Sequence, residues 1–143
     1  MTKLQINTNN KILRGKTYNL EARTLEFSKG PIRLCKKLPK NTVNFKLVDQ
    51  GIRSGTSIGA NYREANETDT KRDFRNRVRI AKKEAKETIY WLDLLIETNP
   101  TARELKNLKG EAQELMKILA SIYEKQNKMF RISKIRHYLE LRI

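Results

Sequence analysis

Apolar residues recur along most of the chain at steps of three and four, the spacing of a helix with one buried face. The pattern is sharpest in the second half. Phe74, Val78, Ala81, Ala85, Thr88, Leu92 and Leu95 form a heptad-like seam, which Ile89, Trp91 and Ile96 widen. Thr70, with Asp73 three residues on, resembles a capping box, and Thr98-Asn99-Pro100 stops the segment. A second run follows, Leu105, Leu108, Ala112, Leu115, Leu119 and Ile122, broadened by Ile118. Thr101 with Glu104 makes a T-x-x-E box that is predicted to cap it. The turn between the two runs is short, so these helices are expected to be antiparallel neighbours.

Upstream the period is less regular. A first helix is predicted from about Asn19 to Lys37, with Leu20, Leu25, Phe27, Ile32 and Leu34 as apolar surface. Gly30-Pro31 falls in its middle. Proline lacks a backbone donor and clashes with the preceding turn, so a kink or break is expected there. Leu38-Pro39-Lys40-Asn41 closes the segment. A second helix runs from about Thr42 to Asn66, capped by Asn41 or Thr42, with Phe45, Leu47, Val48, Ile52 and Ile58 as apolar surface.

Four amphipathic segments joined by short connections predict an all-α fold, an up-down antiparallel four-helix bundle over residues 19–125. Residues 1–18 are polar and basic and read as a flexible arm, a solvated tail or a phosphate contact. Residues 126–143 mix basic and apolar types. They fit a short extra helix, a strand or a tail that orders on binding, and the pattern does not choose among these.

Within the second helix, Gly51, Gly55 and Gly59 recur every four residues and so share one face. Each interior glycine costs about 1 kcal/mol against alanine. Close approach of another backbone is the physical reason to keep three of them. The face ends in Asn61 and Glu64. It is expected to be a helix-packing surface, a subunit interface, or both.

Charge adds a partner to this picture. The 143 residues carry 31 Lys+Arg against 16 Asp+Glu, a formal net charge of +15. Self-repulsion of that size works against compaction, so an anionic partner is expected. Nucleic acid comes first, with ribosomal RNA as one form of it. An anionic membrane comes second. No apolar run approaches the ~20 residues that span a bilayer, and no membrane partner is assigned. There is no continuous apolar stretch near the N-terminus of the kind a secretory signal has. The single cysteine, Cys35, excludes an internal disulfide, and a cytoplasmic setting is expected.

The cations are ordered. Arg72, Arg75, Arg79, Lys82 and Lys86 recur at steps of three and four beside the seam of the third helix. Such a row can neutralise phosphates and release counterions, and arginine adds forked hydrogen bonds. Against it stands the reading of an ordinary solvated face. Aromatic interleaving for base stacking is weak in this segment, so backbone and shape recognition is the expected mode. Tyr90-Trp91-Leu92 is the densest aromatic spot. Neighbouring helical residues diverge by about 100°, so Tyr90 and Trp91 leave the seam that Leu92 joins. They are expected either to cap the bundle or to meet another subunit.

Catalysis has little to stand on. His137 is the one histidine, and with one cysteine it cannot make the usual zinc set. No Glu-x-x-His pair, P-loop, dinucleotide fingerprint or nucleophile elbow is present. Cys35 beside Arg33, Lys36 and Lys37 has a setting that favours thiolate, though a lone cysteine is more often a packing residue. Glu64 and Glu67 have no nucleophile paired with them. No catalytic residue, metal or cofactor is expected.

Arg53 to Ala65 (RSGTSIGANYREA) and Lys71 to Leu95, read together, resemble the bacterial four helix bundle proteins, also called 23S rRNA intervening-sequence proteins. Leu20 to Pro39 is similar to the first helix of that family. The pattern Ser57, Ile58, Asn61, Glu64 and the triplet Tyr90, Trp91, Leu92 carry the resemblance, over roughly residues 20–125. It implies a bundle that assembles as a homopentamer around a central channel. It also implies a gene within an insertion of a large-subunit rRNA gene or elsewhere in a bacterial genome. A related branch serves as accessory protein of diversity-generating retroelements and binds reverse transcriptase and RNA, so reverse transcriptase is a second possible partner. The family offers no catalytic residues to transfer. Gly30-Pro31 and the basic segment after Gln126 depart from its pattern.

Overall fold

Asn19 sets the start of the first helix: its side chain accepts a hydrogen bond from the Ala22 N–H at 3.1 Å. In the computed structural model the described residues are 19–142. Upstream of them only a two-residue antiparallel pairing is described, Ile12–Leu13 (β1) with Lys16–Thr17 (β2). The expected flexible arm otherwise lies outside the described residues. Four helices follow: α1 Leu20–Lys37, α2 Thr42–Asn66, α3 Lys71–Thr98 and α4 Arg103–Glu140.

Contacts between neighbours run in opposite numerical directions. Across α1 and α2, Thr24 faces Gly59 and Pro31 faces Gly55. Across α2 and α3, Asn44 meets Asn99 and Asn61 meets Arg77. Across α3 and α4, Asp93 meets Lys109 and Lys82 meets Tyr123. Lys37–Glu104 and Arg23–Glu111 close α4 back onto α1. The expected up-down antiparallel arrangement follows from these pairs.

The core lies where the seams of α3 and α4 predict it. Val78, Ala81, Ala85, Leu92 and Leu95 pack with Leu105, Ala112, Leu115 and Leu119, all nearly inaccessible. Each buried leucine contributes about 1.5–3 kcal/mol. Thr88 shares the seam because its hydroxyl finds partners there: Ser54 Oγ is 2.8 Å away and the Glu84 carbonyl 2.7 Å.

The first two helices correct the sequence reading. The buried face of α1 is Leu20, Thr24, Phe27, Pro31 and Leu34, a regular three-four repeat. Leu25 and Ile32, expected as apolar surface, are exposed, as is Phe45 on α2. The repeat was hidden because two of its members, Thr24 and Pro31, are a hydroxyl residue and a proline. Thr24 satisfies its hydroxyl on the Glu21 carbonyl. Pro31 neither breaks nor ends α1. It costs about 3 kcal/mol in a helix interior, and the offset is visible: its ring is buried against the Gly55 face of α2. Gly30 beside it admits Leu108 of α4, whose Cδ1 would lie 2.5 Å from an added Cβ.

Helix ends are mostly side-chain capped. Asn41 accepts from the Asn44 N–H at 2.9 Å, and Thr70 from the Asp73 N–H at 3.1 Å. The predicted Thr101 cap does not form. Ala102 is the N-cap of α4 and makes no side-chain bond. The Ala102 N–H donates to the Asn99 carbonyl, which keeps Thr101 in the turn and starts the helix one residue later. Glu104 is held by its own backbone N–H and by Lys37, which lower its pKa. The segment after residue 125 is neither a separate helix nor a strand: α4 continues through it to Glu140, 38 residues or about 57 Å in all.

Candidate nucleic-acid interface and glycine face

The cationic row lies on the α3 flank that borders α4. A helix rises about 1.5 Å per residue, so Arg72 to Lys86 span about 21 Å. Arg72, Arg79 and Lys86 are exposed, whereas Arg75 and Lys82 are half-buried because they lean onto α4. The Arg75 guanidinium lies 4.4 Å from the centre of the Phe130 ring, and the Lys82 ammonium 4.7 Å from that of Tyr123. Lys134 approaches the same Phe130 ring at 4.8 Å. Ring quadrupoles attract cations at such distances. The α4 aromatics therefore concentrate positive charge in this flank, drawing Arg75 and Lys134 from two helices onto one ring.

The sequence reading places neither Tyr123 nor Phe130 beside the row, and takes Phe130 only as apolar surface of a possible short extra helix. Their signal was available: two aromatic residues seven apart share a helix face. It was missed because the interleaving comes from a second helix, and only tertiary packing brings it beside the row.

Carboxylates have gathered elsewhere. Glu84 and Glu87 lie on the opposite flank of α3, where Arg53 of α2 pairs with both. Burial, followed by the nearby Glu87 charge, raises the Glu84 pKa, and Arg53 partly opposes the rise. Glu64 pairs with Arg77 at 2.8 Å, and Glu26 with Lys29 and Arg33. Among the described residues, Arg72, Arg75, Arg79, Lys82 and Lys86 form no ion pair with a carboxylate. No described carboxylate therefore offsets the charge of the row through an ion pair.

The glycine face divides into two kinds of position. A Cβ at Gly59 would lie 3.0 Å from the Thr24 Oγ1 and 3.4 Å from the Thr24 backbone. One at Gly55 would lie 3.2 Å from the Pro31 ring, with Phe27 and Thr88 beyond. Both glycines let α1 approach α2 inside one chain. At Gly51 an added Cβ would meet nothing within 4 Å. Asn61 donates to the Ser57 carbonyl and accepts from Arg77, which ties the end of the face to α3. Tyr90 is exposed and meets Trp91 edge-to-face at 5.0 Å, while the Trp91 indole donates to Glu87 at 3.1 Å. Cys35 is half-buried near the α1–α2 turn. Among the described residues, no group of three His, Cys, Asp or Glu side chains is placed to hold a metal ion. No described helix is long and apolar enough to cross a membrane.

Comparison with known proteins adds the family. A crystal structure of a protein of unknown function from the S23 ribosomal protein family of Bacteroides thetaiotaomicron VPI-5482 superimposes with a TM-score of 0.67 at 40% identity. The match covers 73% of this chain and 98% of that one. No curated protein matches the chain. The family model described as 23S rRNA-intervening sequence protein matches residues 17–121, and with these helices and this glycine face the chain belongs to that family.

Proposed function

We propose that the protein is a non-enzymatic homo-oligomer of the cytoplasm, a pentamer by family resemblance, that binds RNA or DNA along the α3–α4 flank. One observation carries the reading: the five cations from Arg72 to Lys86 have no carboxylate partner among the described residues, although Arg53, Arg77 and Lys109, elsewhere along the borders of α3, each pair with one. Row and rings present charge rather than a pocket, which suits phosphate backbone and shape more than base sequence. Exposed Leu25 and Ile32, seven apart and so on one face of α1, together with Phe45 and Tyr90, supply apolar surface for subunit contact. Electrophoretic mobility shifts with rRNA fragments over a salt series test the binding, and sedimentation tests the assembly. Absence of binding at low salt, or a monomer, would count against the respective part.

The same exposed apolar residues favour a second reading, a protein-binding scaffold such as a reverse-transcriptase accessory subunit. A reverse transcriptase gene beside this one would favour it, and an rRNA operon would favour the first.

A further inference from the structure

One face of α4 changes character along its length. Within the bundle its solvent side is polar: Asn107, Glu114, Lys117, Ser121 and Lys125 lie on it, all exposed. A seven-residue step returns to the same face of a helix. Two such steps from Lys125 lead to Ile132 and Leu139, and two from Ser121 lead to Ile135. All three are exposed. The outward face that water covers in the bundle thus becomes an apolar stripe beyond it. From Lys128 to Arg142 every residue of this segment is exposed, so no described part of the fold covers the stripe. It also lies after residue 121, where the family match ends.

Charge narrows what can cover the stripe. Between residues 128 and 142 stand Lys128, Arg131, Lys134, Arg136 and Arg142, with Glu140 as the one carboxylate. A second copy would bring the same cations against these, and like charges at a shared seam are destabilising. A membrane-lying helix segregates its apolar and cationic faces. Here Lys128 falls on the apolar face itself, seven residues before Ile135. Arg131 and Arg136 flank the seam on its two sides and Lys128 opens it, an arrangement that suits a helix with acidic flanks, as charged flanking positions select coiled-coil partners.

We propose that the α4 extension is a docking helix for an acidic amphipathic helix of another protein, which packs on Ile132, Ile135 and Leu139 and pairs its carboxylates with Lys128, Arg131 and Arg136. This is independent of nucleic-acid binding by the α3 row.

The test uses the full chain and a synthetic helix about three heptads long, with leucine at the seam and glutamate flanking it. Fluorescence anisotropy is expected to show binding that weakens at least about tenfold in Ile132→Ser/Leu139→Ser, and by a similar factor when the peptide glutamates become lysine. Circular dichroism and thermal melting of the variant are expected to match the parent, which separates lost docking from lost fold. No binding of the acidic peptide, or equal binding of both peptides, overturns the proposal. So does sedimentation showing that the double variant abolishes self-association, which would assign the stripe to a second copy. Binding to phosphatidylglycerol vesicles that the same variant removes would assign it to a membrane and overturn the proposal as well.

Discussion

Asn44, in the first turn of α2, and Asn99, at the end of α3, exchange amide hydrogen bonds at 3.0 and 2.8 Å in the buried interior. Asn44 also donates to the Pro39 carbonyl, and Asn99 to that of Leu95. One amide pair thereby ties the α1–α2 turn, the α2 start and the α3 end together. Removing one member strands the other's buried amide, at a cost of about 1–3 kcal/mol. Asn99→Ala is expected to lower unfolding free energy by about that amount in urea. The double variant Asn44→Ala/Asn99→Ala is expected to cost less than the sum of the singles. Strict additivity in the cycle would show that the pair does not act as a unit.

The glycine face predicts opposite signs for one substitution at two positions. Gly51→Ala places a methyl where nothing lies within 4 Å. It removes a poor helix former, so a gain of about 0.5–1 kcal/mol is expected. Gly59→Ala pushes on the Thr24 side chain and backbone at 3.0–3.4 Å, and either α1 moves away or α2 bends. A loss of about 1–3 kcal/mol is expected, the range for overpacked sites. Thermal melts of both variants decide it. A destabilising Gly51→Ala would mean that another subunit occupies that space.

These two cases show what could be read from the chain. The seam from Val78 to Leu95 was legible because it is aliphatic and long, so its period survives any single exception. Asn41 and Thr70 were legible as caps because the capping bond is local. Pro31 was misread because intrinsic propensity counts the lost donor but not the Gly55 groove that receives the ring. Thr101 was misread because a backbone turn bond decided the register. The Asn44–Asn99 pair left no signal, since two polar residues 55 apart look like ordinary turn residues until the helices pack. The cationic row was visible, but its aromatic partners Tyr123 and Phe130 came from another helix.

Glu84 gives the fold a pH dependence of identifiable sign. Its folded pKa lies above the ordinary 4.5, first through burial and then through Glu87. The folded state therefore holds the proton more tightly than the unfolded chain. Stability from this group is present below 4.5 and lost as pH rises through the elevated folded value. Glu26, lowered first by its bond to Lys29 and next by Arg33, acts in the other direction and loses its contribution as pH falls below 4.5. In Glu84→Gln the uncharged amide stands in for the protonated acid. Parent and variant are expected to coincide near pH 4, and the variant to become the more stable as pH rises. Urea titrations at several pH values measure the difference. A difference that does not change with pH would remove Glu84 as its source.

Salt dependence can separate the α3 row from the rest of the basic surface. Each cation that neutralises a phosphate contributes about 0.9 to the slope of log K against log salt on duplex DNA, and about 0.7 on a single strand. Arg79 and Lys86 are exposed, have no carboxylate partner among the described residues and touch no ring. Arg79→Ala/Lys86→Ala is therefore expected to flatten the slope by nearly two phosphate contacts while melting as the parent does. Arg75→Ala removes a cation seated over Phe130. It is expected to flatten the slope by one contact and also to cost about 0.5–1 kcal/mol of stability. Arg33→Ala supplies the control, because Arg33 already pairs with Glu26 at 2.8 Å on α1. If Arg33→Ala flattened the slope as much as Arg75→Ala, binding would follow net charge alone and the row would have no special part. If only the α3 variants act, the contact lies along α3, and the magnitude of each step reports whether the bound strand is single or paired.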